Sequence, residues 1–116
     1  MLSFNETADI YIKPGATDMR KSINTLIPLI CSEMKLDPFS KAYFIFCGRS
    51  RKLVKVLYWD ATGFALWMKK LEKATFPWPN TEEEAMQIQH EEIKWVLKGI
   101  DFFKKHEEVK FSANFY

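Results

Sequence analysis

Between Ala42 and Leu71 the chain sets three runs of strand-forming residues one after another, separated only by turn sequences, and nothing else in it limits the fold as much. Ala42-Tyr43-Phe44-Ile45-Phe46-Cys47 is aromatic and apolar on both faces, as in a central strand covered on each side. Gly48-Arg49-Ser50-Arg51 turns the chain into a second strand, Leu53 to Trp59; Asp60-Ala61-Thr62-Gly63 turns it again into a third, Phe64 to Leu71. Connections this short join only antiparallel neighbours, so a meander is predicted. Thr75 to Trp78 reads as a further strand held to the sheet edge, because Pro77 and the following Pro79 cannot donate to a ladder.

The flanking segments supply the helices. Ile10 to Ile12 is a short first strand closed by Lys13-Pro14-Gly15. A helix follows, capped by Thr17 or Asp18, with Met19, Ile23, Leu26, Ile27, Ile30, Cys31 and Met34 recurring at helical spacing and Pro28 kinking it. After Asp37-Pro38-Phe39-Ser40 comes the meander. Beyond it, Glu82, Glu83 and Glu84 form an acidic surface segment, and Ile93, Val96, Leu97 and Ile100 mark a second amphipathic helix with Gly99 near its end. The expected fold is α+β: an antiparallel sheet of about four strands with two helices packed on one side, one domain over residues 1–103 and a C-terminal tail, 104–116, that is either frayed or a late strand.

Composition removes several classes of protein. No run approaches the roughly 18 apolar residues that cross a bilayer, and MLSFNETADIYIKPG lacks the basic-then-apolar layout of a signal peptide, so the cytoplasm is the expected location. Cys31 and Cys47 have no Cys or His at metal-ligand spacing and are expected to be buried thiols. The net charge of +2 hides an asymmetry: from Lys13 to Lys73 there are twelve Lys or Arg against five Asp or Glu. A local excess of that kind is a physical reason to expect a polyanionic partner, because attraction to phosphates follows the local field.

Two places concentrate that charge. Arg20 and Lys21 sit in the expected opening turn of the first helix, where the helix dipole disfavours cations; either they bind an anion there, or Arg20 pairs with a carboxylate such as Asp18 or Asp60 and tethers the helix. Arg49, Arg51 and Lys52 share one turn with Lys55 on the strand after it, the best candidate for a nucleic-acid footprint, the alternative being a solvated hairpin tip. Lys69, Lys70 and Lys73 extend such a patch only in part, since a strand sends Lys69 and Lys70 to opposite faces. Tyr43, Phe44, Phe46, Tyr58, Trp59, Phe64 and Trp67 are either stacking platforms for bases or core. Catalysis finds little support. His90 and His106 lack a nucleophile or ligand spacing, and Asp18, Asp37 and Asp60 each have a capping or turn role open to them as an alternative to metal binding. No catalytic residue, metal ligand, cofactor or small-molecule substrate is assigned.

Taken in order, Thr17-Asp18-Met19-Arg20-Lys21-Ser22, Asp37-Pro38-Phe39-Ser40, Gly48-Arg49-Ser50-Arg51, Lys55-Val56-Leu57-Tyr58-Trp59-Asp60, Lys70-Leu71-Glu72-Lys73 and Phe76-Pro77-Trp78-Pro79 form a series that resembles the TnpB family, the small second-open-reading-frame proteins of insertion-sequence-66-type transposable elements. The resemblance runs from about Ile10 to about Phe102. It implies an accessory protein encoded beside a separate, larger transposase and needed for efficient movement of the element. With the basic residues, it makes the transposase of the same element and the DNA of the element ends the expected partners, reached through the hairpin and the first-helix N-terminus. Two alternatives stand beside that reading: a pure protein adaptor of the transposase, with no DNA contact, and a metal-dependent nuclease.

Overall fold

The first strand, β1 (Ile10–Ile12), is followed by α1 (Ile23–Leu29), which runs directly into a π-helical turn at Ile30–Met34. Next come β2 (Tyr43–Cys47), β3 (Leu53–Asp60), β4 (Gly63–Lys70) and a short α2 (Glu82–Gln87). This computed structural model describes residues 8–87. The expected helix over Ile93 to Ile100, the domain boundary at 103 and the 104–116 tail lie outside the described residues.

The strands form one sheet in the order β1-β2-β3-β4. β2, β3 and β4 are the antiparallel meander that the turns require, with Tyr43 opposite Tyr58 and Leu53 opposite Lys70. β1, however, pairs parallel with β2, Ile10 opposite Tyr43 and Ile12 opposite Ile45. The sheet is therefore mixed, which corrects the fully antiparallel expectation. The cause is the long connection: the chain crosses through α1 before pairing, so β2 runs in the same direction as β1. Thr75 to Trp78, expected as an edge strand, is irregular. Phe76 N–H donates to Arg51 O at 2.7 Å and Leu71 N–H to Lys52 O at 2.7 Å, but Pro77 and Pro79 have no donors and the ladder stops.

One face of the sheet carries Tyr11, Phe44, Phe46, Leu57 and Leu66, in register across the four strands. Leu26, Leu29 and Ile30 pack on it, with Ile23, Ile27 and Met34 at the margin of the same cluster. Leu26, Ile30, Phe44, Phe46 and Leu57 are fully enclosed. At roughly 1.5–3 kcal/mol for each large side chain removed from water, this cluster is a main support of the fold. The opposite face, carrying Tyr43, Ile45, Cys47, Val54 and Val56, is buried too, which explains why β2 is apolar on both sides.

The helix begins later than expected. Its N-cap is Ser22, whose N–H donates to Thr25 Oγ1 at 2.8 Å, and neither Thr17 nor Asp18 caps it. Pro28 lies inside α1 and the wider π turn follows at once, with Ser32 Oγ donating to Pro28 O at 2.8 Å. At about 100° per residue Cys31 lies beyond Ile27, at the outer edge of the stripe centred on Leu26, Leu29 and Ile30, and it is exposed, while Met34 stays against the core. Cys47 is buried as expected; Cys31 is not.

Candidate nucleic-acid interface

Two loops meet at the end of the sheet where β2 stops. The first continues from β1. Lys13 N–H donates to Ile45 O at 3.0 Å and Thr17 N–H to Cys47 O at 2.8 Å, so the strand's hydrogen bonding extends past Pro14 and Gly15. Gly15 adopts φ +77°, a conformation that favours glycine, and its N–H donates to Pro79 O at 2.8 Å. The chain then folds on itself at Asp18. The Asp18 carboxylate accepts the Arg20 backbone N–H at 2.9 Å and its carbonyl accepts Lys21 N–H at 3.1 Å, the usual work of aspartate in a turn.

The same carboxylate holds the Arg20 guanidinium through Nε and Nη2, the shortest contact being 2.8 Å. These side-chain and backbone donors keep the Asp18 carboxyl well below the usual carboxylate range, and the Arg20 guanidinium is shifted upward in turn. The pair is exposed, so it fixes geometry more than it adds stability. Of the two carboxylates within reach of Arg20 in the sequence reading, Asp18 is its partner.

The second loop is the β2–β3 hairpin. Gly48 N–H donates to Leu53 O at 2.9 Å and Arg51 N–H to Gly48 O at 3.0 Å, leaving Arg49 and Ser50 exposed at the tip. Arg51 takes a left-handed conformation, φ +61°, which turns its side chain inward. Its guanidinium donates to Trp78 O and Asn80 Oδ1, and Trp78 Nε1–H donates to Lys13 O at 3.0 Å. Arg51 thus ties the 76–80 segment to the hairpin, and its charge faces its own chain.

Lys55 is also spent internally. It is only 8% exposed, and its ammonium donates to Met19 O at 2.6 Å and Lys21 O at 2.7 Å. One buried cation therefore clamps the Ala16–Lys21 loop to the sheet. The clamp is tight at the hairpin as well: a Cβ on Gly48 would fall 2.6 Å from Met19 Cγ, so only glycine allows the two loops this approach.

Between the loops lies a cleft of about 480 Å³, walled by Ala16–Arg20 on one side and Gly48, Arg49, Ser50 and Leu53 on the other. Arg20 and Arg49, which come from sequence-distant segments, face the same space. Thr17 belongs to its wall and is 5% exposed, yet its Oγ1 is the buried side-chain polar atom without a hydrogen-bond partner among the described residues. Neither Thr17 nor Ser50 stands out as a site residue in the sequence. Thr17 reads there as a helix cap, and only the displacement of the cap to Ser22 leaves its hydroxyl unoccupied.

Of the six basic residues singled out from sequence, the structure brings Arg20 and Arg49 into the cleft and leaves Lys21 and Lys52 half-buried beside it. Arg51 and Lys55 are turned inward. Tyr43, Phe44 and Phe46 are buried in the sheet. Trp59 and Phe64 form an aromatic group with the exposed Phe39, centroids 5.0–5.4 Å apart, at the far end of the β3–β4 hairpin.

Asp37 accepts Phe39 N–H at 2.9 Å in its turn and Asp60 is exposed in the β3–β4 turn. No three His, Cys, Asp or Glu among the described residues gather closely enough to hold a metal ion. His90 and His106 lie outside them. No helix among the described residues is long and apolar enough to cross a membrane.

Sheet, crossover helix and basic cleft together define a small α+β protein whose distinguishing surface is an arginine-lined end of the sheet. The chain belongs to the IS66 Orf2-like family: the family model matches residues 8–107, and the family is one of insertion-sequence accessory proteins. It is 34% identical over 102 residues to the uncharacterized protein y4hO of Sinorhizobium fredii, covering 88% of this chain and 89% of that one. It is 28% identical over 102 residues to a second uncharacterized protein of that organism, y4jC, covering 87% of each. No solved structure matches.

Proposed function

We propose that this chain is a non-catalytic accessory protein for transposition that works in the cytoplasm and contacts DNA, the transposase of its element, or both through the basic end of its sheet. The observation that carries the reading is the convergence of Arg20 and Arg49, from two loops, on one exposed cleft in a member of an insertion-sequence family. Phosphate contacts made there position the protein on a duplex without reading its sequence.

The test is duplex binding as a function of salt for the intact protein and for Arg49→Ala/Lys52→Ala. Removing one phosphate-binding cation lowers the slope of log affinity against log salt by about 0.9, so the double variant is expected to flatten it by roughly two units, equally on element-end and random DNA. An unchanged slope removes the hairpin from the interface. Arg51 is left intact because its guanidinium holds the 76–80 segment.

The adaptor alternative also has an observation behind it. With Arg51 and Lys55 committed inward and Arg20 held by Asp18, fewer cations remain for a phosphate track, and the remainder suits an acidic patch on a protein. Absence of duplex binding at low salt, with retained binding to the transposase, decides for the adaptor.

A further inference from the structure

We propose that the cleft between Ala16–Arg20 and Gly48–Leu53 is a built binding site for a single phosphate group, with Arg49, Arg20 and the Thr17 hydroxyl as its donors. This rests on the DNA reading above and sharpens it, from a diffuse basic surface to one pocket with named donors.

Four features carry it. The two guanidiniums are of different kinds. Arg20 is already oriented, because Asp18 engages Nε and Nη2, and Nη1 makes no bond among the described residues. Arg49, at the exposed tip, has no hydrogen-bond or ion-pair partner among them and is left to close over a ligand. Against the Asp18 carboxylate, the two arginines leave the cleft net positive.

Thr17 adds a hydroxyl that is buried and without a partner among the described residues. Leaving such a group unsatisfied is unfavourable, and turning the hydroxyl about χ1 toward an anion oxygen in the cleft that Thr17 lines removes that cost. Ser50 accepts Lys52 N–H at 3.3 Å through its oxygen, so its own proton is available at the rim. Finally, the frame is rigid. Lys55 holds the first loop by two carbonyls, Thr17 N–H is bonded to Cys47 O, and Met19 is pressed against Gly48, so the loop backbones are already in place and binding has only the Arg49 and Thr17 side chains to order.

A phosphate in this cleft has two sources, an internal phosphodiester of a strand or a free or terminal phosphate, and the experiment separates them. Backbone amide NMR shifts of the full chain are followed during titration with inorganic phosphate and, separately, with the phosphodiester dinucleotide dTpdT. Saturable shifts confined to residues 16–20 and 48–51 are expected. Saturation by dTpdT assigns the strand as the source, and saturation by inorganic phosphate alone assigns a terminal or free phosphate.

Thr17→Val is the decisive variant, since it removes the hydroxyl and keeps the shape. It is expected to weaken phosphate about tenfold, in the range of one charge-assisted hydrogen bond, while leaving the fold as stable as before or more so. Arg49→Ala is expected to abolish saturation. A Thr17→Val variant that binds phosphate normally, or loses stability, overturns the proposal, as do shifts that never saturate or that spread outside the two loops. Duplex binding that persists with its salt slope in that case leaves the wider DNA reading standing, so the two failures are distinguishable.

Discussion

Replacing Lys55 by Met asks whether this lysine belongs to the surface or to the framework. The methionine keeps most of the stem's volume and removes the ammonium that donates to Met19 O and Lys21 O. A hydrogen bond to a charged group contributes about 1.5–3 kcal/mol net, so removing two gives an upper bound of about 3–6 kcal/mol. Two effects reduce this. The neutral side chain no longer carries the desolvation penalty of a buried charge, several kcal/mol before its compensation, and the freed carbonyls belong to half-buried residues that water can reach. A destabilisation of about 2–3 kcal/mol remains. For a domain of this size that lowers the melting temperature by roughly 10–20 °C. Urea unfolding followed by tryptophan fluorescence reads the change as a lower midpoint with an unchanged slope. If the variant stays within about 0.5 kcal/mol of the parent, the clamp is not a support of the fold. If it loses DNA affinity through the salt slope at unchanged stability, Lys55 reaches the surface and its assignment as an internal clamp is wrong.

Three further outcomes follow from the same geometry. Of the two cysteines, Cys31 is exposed, whereas Cys47 is enclosed and burial pushes its thiol up to about 11. A disulfide reagent is therefore expected to titrate one thiol in the native protein and the second only in denaturant, and two fast thiols would contradict the burial of β2. Ala61 sits in the β3–β4 turn with φ +49°, where a side chain is strained, so Ala61→Gly is expected to raise stability by about 0.5–1 kcal/mol; a decrease would mean that the turn is relaxed as it stands. Burial lowers the Lys69 ammonium to about 8. Between pH 8 and the ordinary lysine value the unfolded chain binds more protons, so this group's contribution makes stability rise with pH across that window, and NMR of its ε-methylene checks the midpoint directly.

The meander is legible in the sequence because its information is local. Gly48-Arg49-Ser50-Arg51 and Asp60-Ala61-Thr62-Gly63 bracket Leu53 and the strands around it to within a residue or so. The parallel pairing of β1 is not, since three residues at Ile10–Ile12 carry no trace of the direction from which a partner arrives. Cys31 is misplaced because helical spacing also groups it with Ile27, which is itself only partly buried at the margin of the core, and spacing alone does not show where the buried stripe ends. At the site, charge is visible and commitment is not. Arg51 and Lys55 look no different in sequence from Arg49, and only the left-handed backbone at Arg51 and the burial of the third position of β3 reveal that their charges face inward. Thr17 is hidden by the same displacement, since a helix cap expected one turn too early occupies its hydroxyl on paper.

The parallel pairing of β1 with β2 has a kinetic meaning. The contacts of β2, β3 and β4 are made across short turns, so their hairpins close quickly, whereas β1 must find Tyr43–Ile45 across a connection that includes a helix and a π turn. We expect β1 to be the last strand added, with a transition state that already holds the meander. Substitutions at Leu57 should then slow folding while those at Ile12 mainly speed unfolding, and the reverse pattern in folding and unfolding rates would refute the order. Because the Ala16–Arg20 wall hangs from β1, the cleft is completed only at that last step: the arginine-lined end of the sheet comes into being when the chain has finished folding, and not before.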